Sequence, residues 1–276
     1  VKFTRILATA TLAVALVAGP VSAPDAAMAA PKLTSIWNFR DVAGNGVPLS
    51  GGATMNSGVV YRAGQLKGLS DADAATLVAL GITDIYDLRS ATAAKASPDP
   101  VPSGITYHRI DVFSGHSKSY KGKTAAGAHA YMKAMNRAFV TDGAQRKKIA
   151  AALKAIAGAT GPVLIHCAAG KDRTGWVSAM LQAIAGARTA TTIRHEYLLS
   201  NTYRKALIDA KVKAARKIST ARAAIVRAQE HLEWSYLKAG LDKAVAKYGS
   251  LSGYWTKGLQ LSPATLTALR AKFRQA

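Results

Sequence analysis

The chain is short of cysteine, of acidic side chains and of long apolar runs, and each shortage excludes something. A single cysteine, Cys167, rules out an internal disulfide. Only 15 Asp and Glu face 37 Lys and Arg, leaving a formal charge of +22. Such a surface attracts polyanions: nucleic acid, anionic lipid, phosphorylated ligands. The excess is spread over helical stretches with little aromatic interleaving and no nucleic-acid motif, so nucleic acid is not an expected partner. The charge reads as solubility plus attraction of anionic substrates. The histidines are scattered, with no H-x-x-x-H pair at metal-ligand spacing, so no metal and no other cofactor is implied. No stretch beyond residue 30 is apolar for long enough to span a bilayer.

Residues 1–30 stand apart from the expected fold. Lys2 and Arg5 give a basic start, Ile6 to Ala18 is apolar, Gly19-Pro20 breaks any helix, and Ala27-Met28-Ala29 supplies an A-x-A pattern. This reads as a secretory signal peptide, with an uncleaved N-terminal anchor as the alternative. The expected location is therefore exported, secreted or periplasmic. Residues 31–276 remain, ample for one domain with a single core. A free thiol in an exported protein favours a working cysteine and predicts sensitivity to oxidation.

That cysteine sits in the stretch the rest of the chain is organised around, residues 162–175, Pro-Val-Leu-Ile-His-Cys-Ala-Ala-Gly-Lys-Asp-Arg-Thr-Gly. Val163-Leu164-Ile165 reads as a buried strand and Trp176 to Ile184 as a helix. A strand–loop–helix unit of this kind binds anions, because amides at the helix start point outward and the helix dipole adds positive charge. Gly170 lets the loop curl, and the curl of Ala168, Ala169, Gly170 and Lys171 can turn successive amides inward as a nest. A thiol beside a helix N-terminus, Lys171, Arg173 and His166 has a lowered pKa, and the thiolate is the nucleophile. Arg173 offers a planar fork that matches two phosphate oxygens. Thr174 can donate its hydroxyl to the sulfur and help it leave. The implied chemistry is in-line attack on a phosphate monoester, then hydrolysis of the thiophosphate.

His-Cys, five residues, then Arg-Thr resembles the signature of cysteine-based phosphatases. The longer run His166-Cys167-Ala168-Ala169-Gly170-Lys171-Asp172-Arg173-Thr174-Gly175 resembles the secreted bacterial branch of the tyrosine phosphatases, typified by a mycobacterial enzyme. Asn38 to Gly44, Tyr61 to Gly64, Gly81 to Ser90 and Tyr248 to Tyr254 are similar to that branch too, so the resemblance spans most of residues 36–274. It implies broad phosphatase activity on phosphotyrosine, with phosphoserine, phosphothreonine and phosphoinositides in some members.

Many tyrosine phosphatases carry their general acid in a Trp-Pro-Asp tripeptide, which this chain lacks. Asp111 is the nearest positional stand-in. The resemblance implies instead that Asp172, inside the loop, is the acid. The acid must be protonated for the leaving oxygen. Lys171 and Arg173 oppose that protonation, and desolvation or the substrate dianion would compensate. Asp172 could equally cap the helix N-terminus. Lys171 adds a second fixed charge, which would widen the site toward phosphoinositides or inositol phosphates.

Along the rest of the chain, residues 31–60 read as loops, with Trp37 and Phe39 packing on the core and Arg40 paired with Asp41. Val59 to Arg62 reads as a strand with Arg62 emerging at its end, in reach of phosphate. Ser70 caps a helix to about Leu80. Ile82 to Leu88 follows as a strand ending at Asp87 and Arg89, where open α/β sheets place ligands. The β–helix–β order suggests a parallel pair. Ala91–Ala96 is a short helix and Ile105 to Val112 a further strand. Ser114 to Gly127 is a basic loop whose His116, Lys118, Lys121 and Lys123 form a candidate phosphate-attracting rim. Helices follow over 128–139, 145–157, 189–199, 201–229 (one helix or a pair), 230–247 and 263–273, the last with Ser262 as N-cap and Pro263 at its first position.

The expected fold is α/β: a central, mostly parallel sheet flanked by helices, with a helical lid. The resemblance places the lid at about 201–230, whose basic residues, Arg204 and Lys211 among them, face few acids and could meet anionic membrane peripherally. The expected function is a phosphomonoester hydrolase working through phosphocysteine on phosphorylated protein. A phosphoinositide phosphatase is the alternative. Two rivals come from other classes: a rhodanese-type sulfurtransferase, which the Lys171-Asp172 and Arg173-Thr174 pairs disfavour, and a non-catalytic basic protein binding anions or membranes.

Overall fold

The computed structural model describes residues 31–44, 46–115 and 120–275. The signal peptide expected over 1–30, and His116 and Lys118 of the expected rim, lie outside the described residues.

Five strands form the central sheet: β1 (Arg40–Asp41), β3 (Val60–Ala63), β4 (Asp84–Asp87), β5 (Thr106–Arg109) and β6 (Val163–His166), in the order β1-β3-β6-β4-β5. β1 runs antiparallel to β3 and every other pairing is parallel. β2 (Thr54–Met55) pairs separately with the C-terminal β7 (Arg274–Gln275). β3 and β4 are parallel, as the β–helix–β order implied, but they are not neighbours. The strand carrying the cysteine lies between them and is the most apolar of the five. A strand covered on both faces and both edges has no solvent side, which suits Val163-Leu164-Ile165.

Alternation along the strands feeds two apolar layers. Tyr61, Ala63, Ile85 and Leu164 face a small layer with Phe39 and the helix α1 (Asp71–Ala79). Val60, Tyr86, Val163 and Ile165 face the main core, built with α3 (Ala125–Thr141), α4 (Gly143–Gly158), α5 (Asp172–Ala185), α9 (Trp234–Tyr248) and α11 (Pro263–Phe273). Trp176 of α5 is fully buried there, its ring 5.4 Å from that of Phe139. Trp37, expected in the core, is 46% exposed, and Phe39 alone fills that place against Tyr61.

The two caps read from the sequence, Ser70 and Ser262, are found, with further ones beside them. Ser70, Ser90, Thr124, Asp142, Ser219 and Ser262 each accept a first-turn amide. Ser90 opens α2 (Ala91–Ala96). A π turn at Thr189–Ile193 leads into α6 (Arg194–Tyr203), which absorbs the beginning of the stretch read as 201–229. The remainder is a helix pair, α7 (Lys205–Arg216) and α8 (Thr220–Glu230). A break at residues 231–233 precedes α9, where one continuous helix had been expected from 230. Ser250 caps the short α10 (Leu251–Gly253) before a second π turn, Tyr254–Gly258.

Candidate active site

β6 ends at His166, and the loop that follows is shaped by what its carbonyls bind. The oxygen of Ala168 accepts from the amide of Gln65 at 3.1 Å. Those of Ala169 and Gly170 accept from Asn38 Nδ2 at 3.0 and 2.8 Å. Gly170 also takes Arg62 Nη2 at 2.6 Å. In a trans peptide the carbonyl and the next N–H point opposite ways. With three carbonyls held outward, the amides of Ala169, Gly170 and Lys171 face the loop's interior. Gly170 makes this possible: its φ is +64°, and a Cβ there would lie 2.2 Å from the Ala63 carbonyl oxygen. α5 starts at Asp172 with no side-chain cap, so its first amides carry no local acceptor of that kind. The result is an anion cradle beside Cys167.

Behind the cradle lies a buried ion cluster. Glu196 accepts both an Arg62 nitrogen at 2.7 Å and Arg40 Nε at 2.8 Å, with all three side chains almost wholly buried. Arg40 also binds the carbonyl and side-chain oxygens of Asn38, fixing the amide that holds the loop. Burial, and then the charge of Arg62, lower Arg40 to about 10 against the pull of Glu196. Two sequence expectations fail here. Arg62 is not at the phosphate side of its strand; its guanidinium runs behind the loop as a brace. Arg40 does not pair with Asp41, because consecutive residues of an extended strand point to opposite faces. Asp41 instead accepts the amides of Ala43, at 2.7 Å, and Gly58.

A second network holds the strand end beneath the cysteine. Arg89 donates to both oxygens of Asp87 and to Asp99, and Tyr107 donates to Asp87 at 2.7 Å. His166, fully buried, has Nδ1 3.9 Å from Asp87 and Nε2 3.4 Å from Asp99. Burial keeps its pKa below the ordinary value although both carboxylates pull it upward. Asp87, Asp99 and His166 bring metal-ligating atoms within 4.8 Å of one another. Arg89 already supplies the positive charge there, so the set fits a structural network better than a cation site. Asp87 and His166 are therefore placed under the loop, as supports.

Cys167 is 2% exposed. Burial pushes its thiol up, but the Arg173 charge and the hydroxyl and amide of Thr174 outweigh burial and the opposing Asp172, leaving it below the ordinary value of 9.0. Thr174 is buried, and its hydroxyl is one of the groups that lower the thiol. Arg173 donates to the Leu88 carbonyl at 3.3 Å and lies 4.4 Å above the Phe113 ring, a cation–π seat. Lys171 is buried; its ammonium donates to the Gln229 carbonyl at the end of α8 and sits 3.1 Å from Asp172.

The two candidate acids differ in their engagements. Asp111 is spent on backbone: its oxygens accept the amides of Phe113 at 3.1 Å and Gly115 at 3.0 Å. Asp172 has one oxygen beside Lys171 and the other, Oδ1, buried with no hydrogen-bond partner. Its charge is felt by Tyr131 and Tyr197, both raised first by burial and then by Asp172, and by Tyr236, raised by burial, then Glu233, then Asp172. Asp172 is also the first residue of α5 and its only first-turn acid.

Sequence reasoning passed over the braces. Asn38 lay inside a stretch quoted for the resemblance, but Glu196 and Asp99 were not singled out. Scarcity was the available signal: in so basic a chain an acid on an apolar helix face must neutralise something buried. Arg204 and Lys211 were read as facing few acids, yet both converge on Glu230, at 2.6 and 2.7 Å.

The chain is similar to known tyrosine phosphatases. The family model described as "Tyrosine phosphatase family" matches residues 31–275. The triple specificity protein phosphatase PtpB of Mycobacterium tuberculosis is 31% identical over 281 residues, covering 88% of this chain and 98% of that one. A Cupriavidus necator protein with a provisional tyrosine-protein phosphatase name is 28% identical, covering 84% of this chain and 85% of its own. A tyrosine-protein phosphatase of Nostoc commune is 31% identical over 146 residues, about half of either chain.

Proposed function

The chain belongs to the tyrosine phosphatase family, and we propose that it runs cysteine phosphatase chemistry at Cys167 with Asp172 as its acid. The observation that carries this reading is the outward turn of three loop carbonyls, which leaves inward amides around a thiol lowered by Arg173 and Thr174. The Cys167 thiolate attacks phosphorus in line. The loop amides and Arg173 hold the equatorial oxygens, Arg173 swinging from its seat on Phe113. Asp172 gives its proton to the leaving oxygen. Its carboxylate then takes a proton from water, which attacks phosphorus and releases phosphate and the thiolate, with Thr174 stabilising the departing sulfur.

Within this reading the substrates are phosphotyrosine first, with phosphoserine, phosphothreonine and phosphoinositides as wider classes. Lys171 favours the last, since its buried charge stands beside the loop. The α7–α8 pair is the lid: its end at Gln229 is tied to Lys171, so closing over the loop would exclude water and oxidant. The protein is exported after cleavage of residues 1–30, and its basic surface meets anionic membrane peripherally.

The test is hydrolysis of para-nitrophenyl phosphate by the purified chain beside Cys167→Ser, with reductant and with chelator. Activity that survives chelation and disappears in the variant is expected. A folded, reduced wild type without activity would overturn the reading and leave the anion-binding rival. Phosphotyrosine peptides set against phosphoinositides then rank the substrates.

A further inference from the structure

The helix pair α7–α8 has a base and a tip of different character. The base is pinned: Arg204 is 1% exposed and pairs with Glu230, Asn201 exchanges hydrogen bonds with Leu232, and Gln229 accepts from Lys171. Ile208 and Ala215 of α7 and Ala223, Ile225 and Ala228 of α8 form the buried faces. Toward the turn this seam shrinks to two alanines. Residues 216–222 are exposed without interruption. They include Ile218, 77% exposed and the most exposed large hydrophobic among the described residues.

Charge is as lopsided as exposure. From residue 210 to residue 229 there is no acid, while Lys211, Lys213, Arg216, Lys217, Arg222 and Arg227 are all basic. The flanking acids are engaged, Asp209 with Lys205 and Glu230 with Arg204 and Lys211. An aliphatic side chain thrust into water inside a cationic ring costs free energy unless it has somewhere to go. No aromatic residue lies between 204 and 231 to stack on a base, which disfavours single-stranded nucleic acid.

We propose that the α7–α8 tip docks on an anionic bilayer surface, Ile218 entering the headgroup boundary while Lys213, Arg216, Lys217 and Arg222 lie against the lipid phosphates. The proposal sharpens the peripheral contact given above and does not depend on catalysis. The partner is a lipid surface because the ring supplies electrostatic attraction and the isoleucine supplies insertion, the two terms that bind interfacial segments.

The experiment is co-sedimentation of the full chain with phosphatidylcholine vesicles, with and without phosphatidylglycerol, at low salt and at about 0.15 M salt. Binding only to the anionic vesicles is expected. Ile218→Ser should weaken it about tenfold, and Lys213→Gln with Arg216→Gln and Lys217→Gln by more. The same charge change on Lys243, Lys247 and Lys257 should matter little. Unchanged unfolding curves establish that the variants fold. In a Cys167→Ser chain, an environment-sensitive dye on Ile218→Cys should shift to the blue on anionic vesicles. Equal losses from the two charge triplets, no effect of Ile218→Ser, or retention on single-stranded RNA without vesicle binding would each overturn the proposal.

Discussion

Arg62 and Gly170 meet at 2.6 Å, a guanidinium donating to the carbonyl of a residue that must be glycine. The contact ties strand β3 to the phosphate cradle and aims the next amide inward. Arg62 is in turn neutralised by Glu196, which also neutralises Arg40. Removing that one carboxylate strands two buried cations. Glu196→Ala should therefore destabilise the fold by about 3–5 kcal/mol in denaturant titration, and a loss below about 1 kcal/mol would refute the brace. Arg62→Ala should lower kcat at least tenfold in protein that still folds, because the Gly170 carbonyl then keeps only the Asn38 amide to hold it outward.

The thiol should titrate below 9.0 in alkylation rate against pH, because Arg173 and Thr174 outweigh burial. The thiolate is the reactive form, so both alkylation and kcat/KM should fall as pH drops through that lowered midpoint. Arg173→Ala and Thr174→Ala should each move the midpoint upward. A midpoint unmoved by both would place the lowering elsewhere.

Gly170→Ala and Gly68→Ala ask the same backbone to hold a positive φ, +64° and +83°. They differ in space: the first would press on the Ala63 carbonyl, while nothing stands within 4 Å of the second. Gly68→Ala should cost about 1–2 kcal/mol, the left-handed penalty alone. Gly170→Ala should cost more and abolish turnover. Similar unfolding midpoints for the two would contradict the close approach.

Asp41 gives the stability curve an unusual segment. Burial outweighs the bonds from Gly58 and Ala43 and raises it from 3.8 to about 6. The folded state then binds a proton that the unfolded chain has released between those values. Stability from this group is complete below pH 3.8 and is lost as pH rises through about 6, a loss of roughly 3 kcal/mol. Asp87 and Glu230 are lowered by their cationic partners, so their contributions are lost in acid instead. Asp41→Asn should flatten the decline between pH 4 and 6 in denaturant titrations and leave the acid limb in place; an unaltered decline would assign it to another group.

Asp172→Asn should reduce kcat by about 10²–10⁴ on alkyl phosphates, and less on para-nitrophenyl phosphate, whose leaving group needs little protonation. Asp111→Asn should stay within about tenfold, since its oxygens serve a turn. The reverse ranking would make Asp111 the acid.

The shape of the loop at the candidate site was legible because loop geometry is local. Strand 163–165, the curl at Gly170, Cys167, Arg173 and the caps at Ser70 and Ser262 depend on neighbours within a few residues. Its braces were not, because they depend on pairings across the sheet. Asn38, Arg62 and Glu196 meet only once β6 has inserted beside β3. Side-chain direction misled for the same reason: Arg62 at a strand end looked available to phosphate, and the face it points from follows from register. The helix pair at 205–230 was readable as helical from its alanines and lysines. Its break at 217–219 was not separated from a continuous helix, because Lys217 and Ile218 carry no breaker signal.

The placement of β6 between two strands made much earlier bears on how the enzyme comes into being. Its partners, Val60–Ala63 and Asp84–Asp87, leave the ribosome about 105 and about 80 residues before the cysteine does, and Glu196 leaves afterwards. Contacts so distant along the chain form late and slowly. A nascent chain ending just after Gly175 would carry every residue of the motif and still lack the carboxylate that holds Arg62 in place. Activity therefore arrives with the completed polypeptide, and two inactive fragments divided in the loop between α5 and α6 should regain it on mixing.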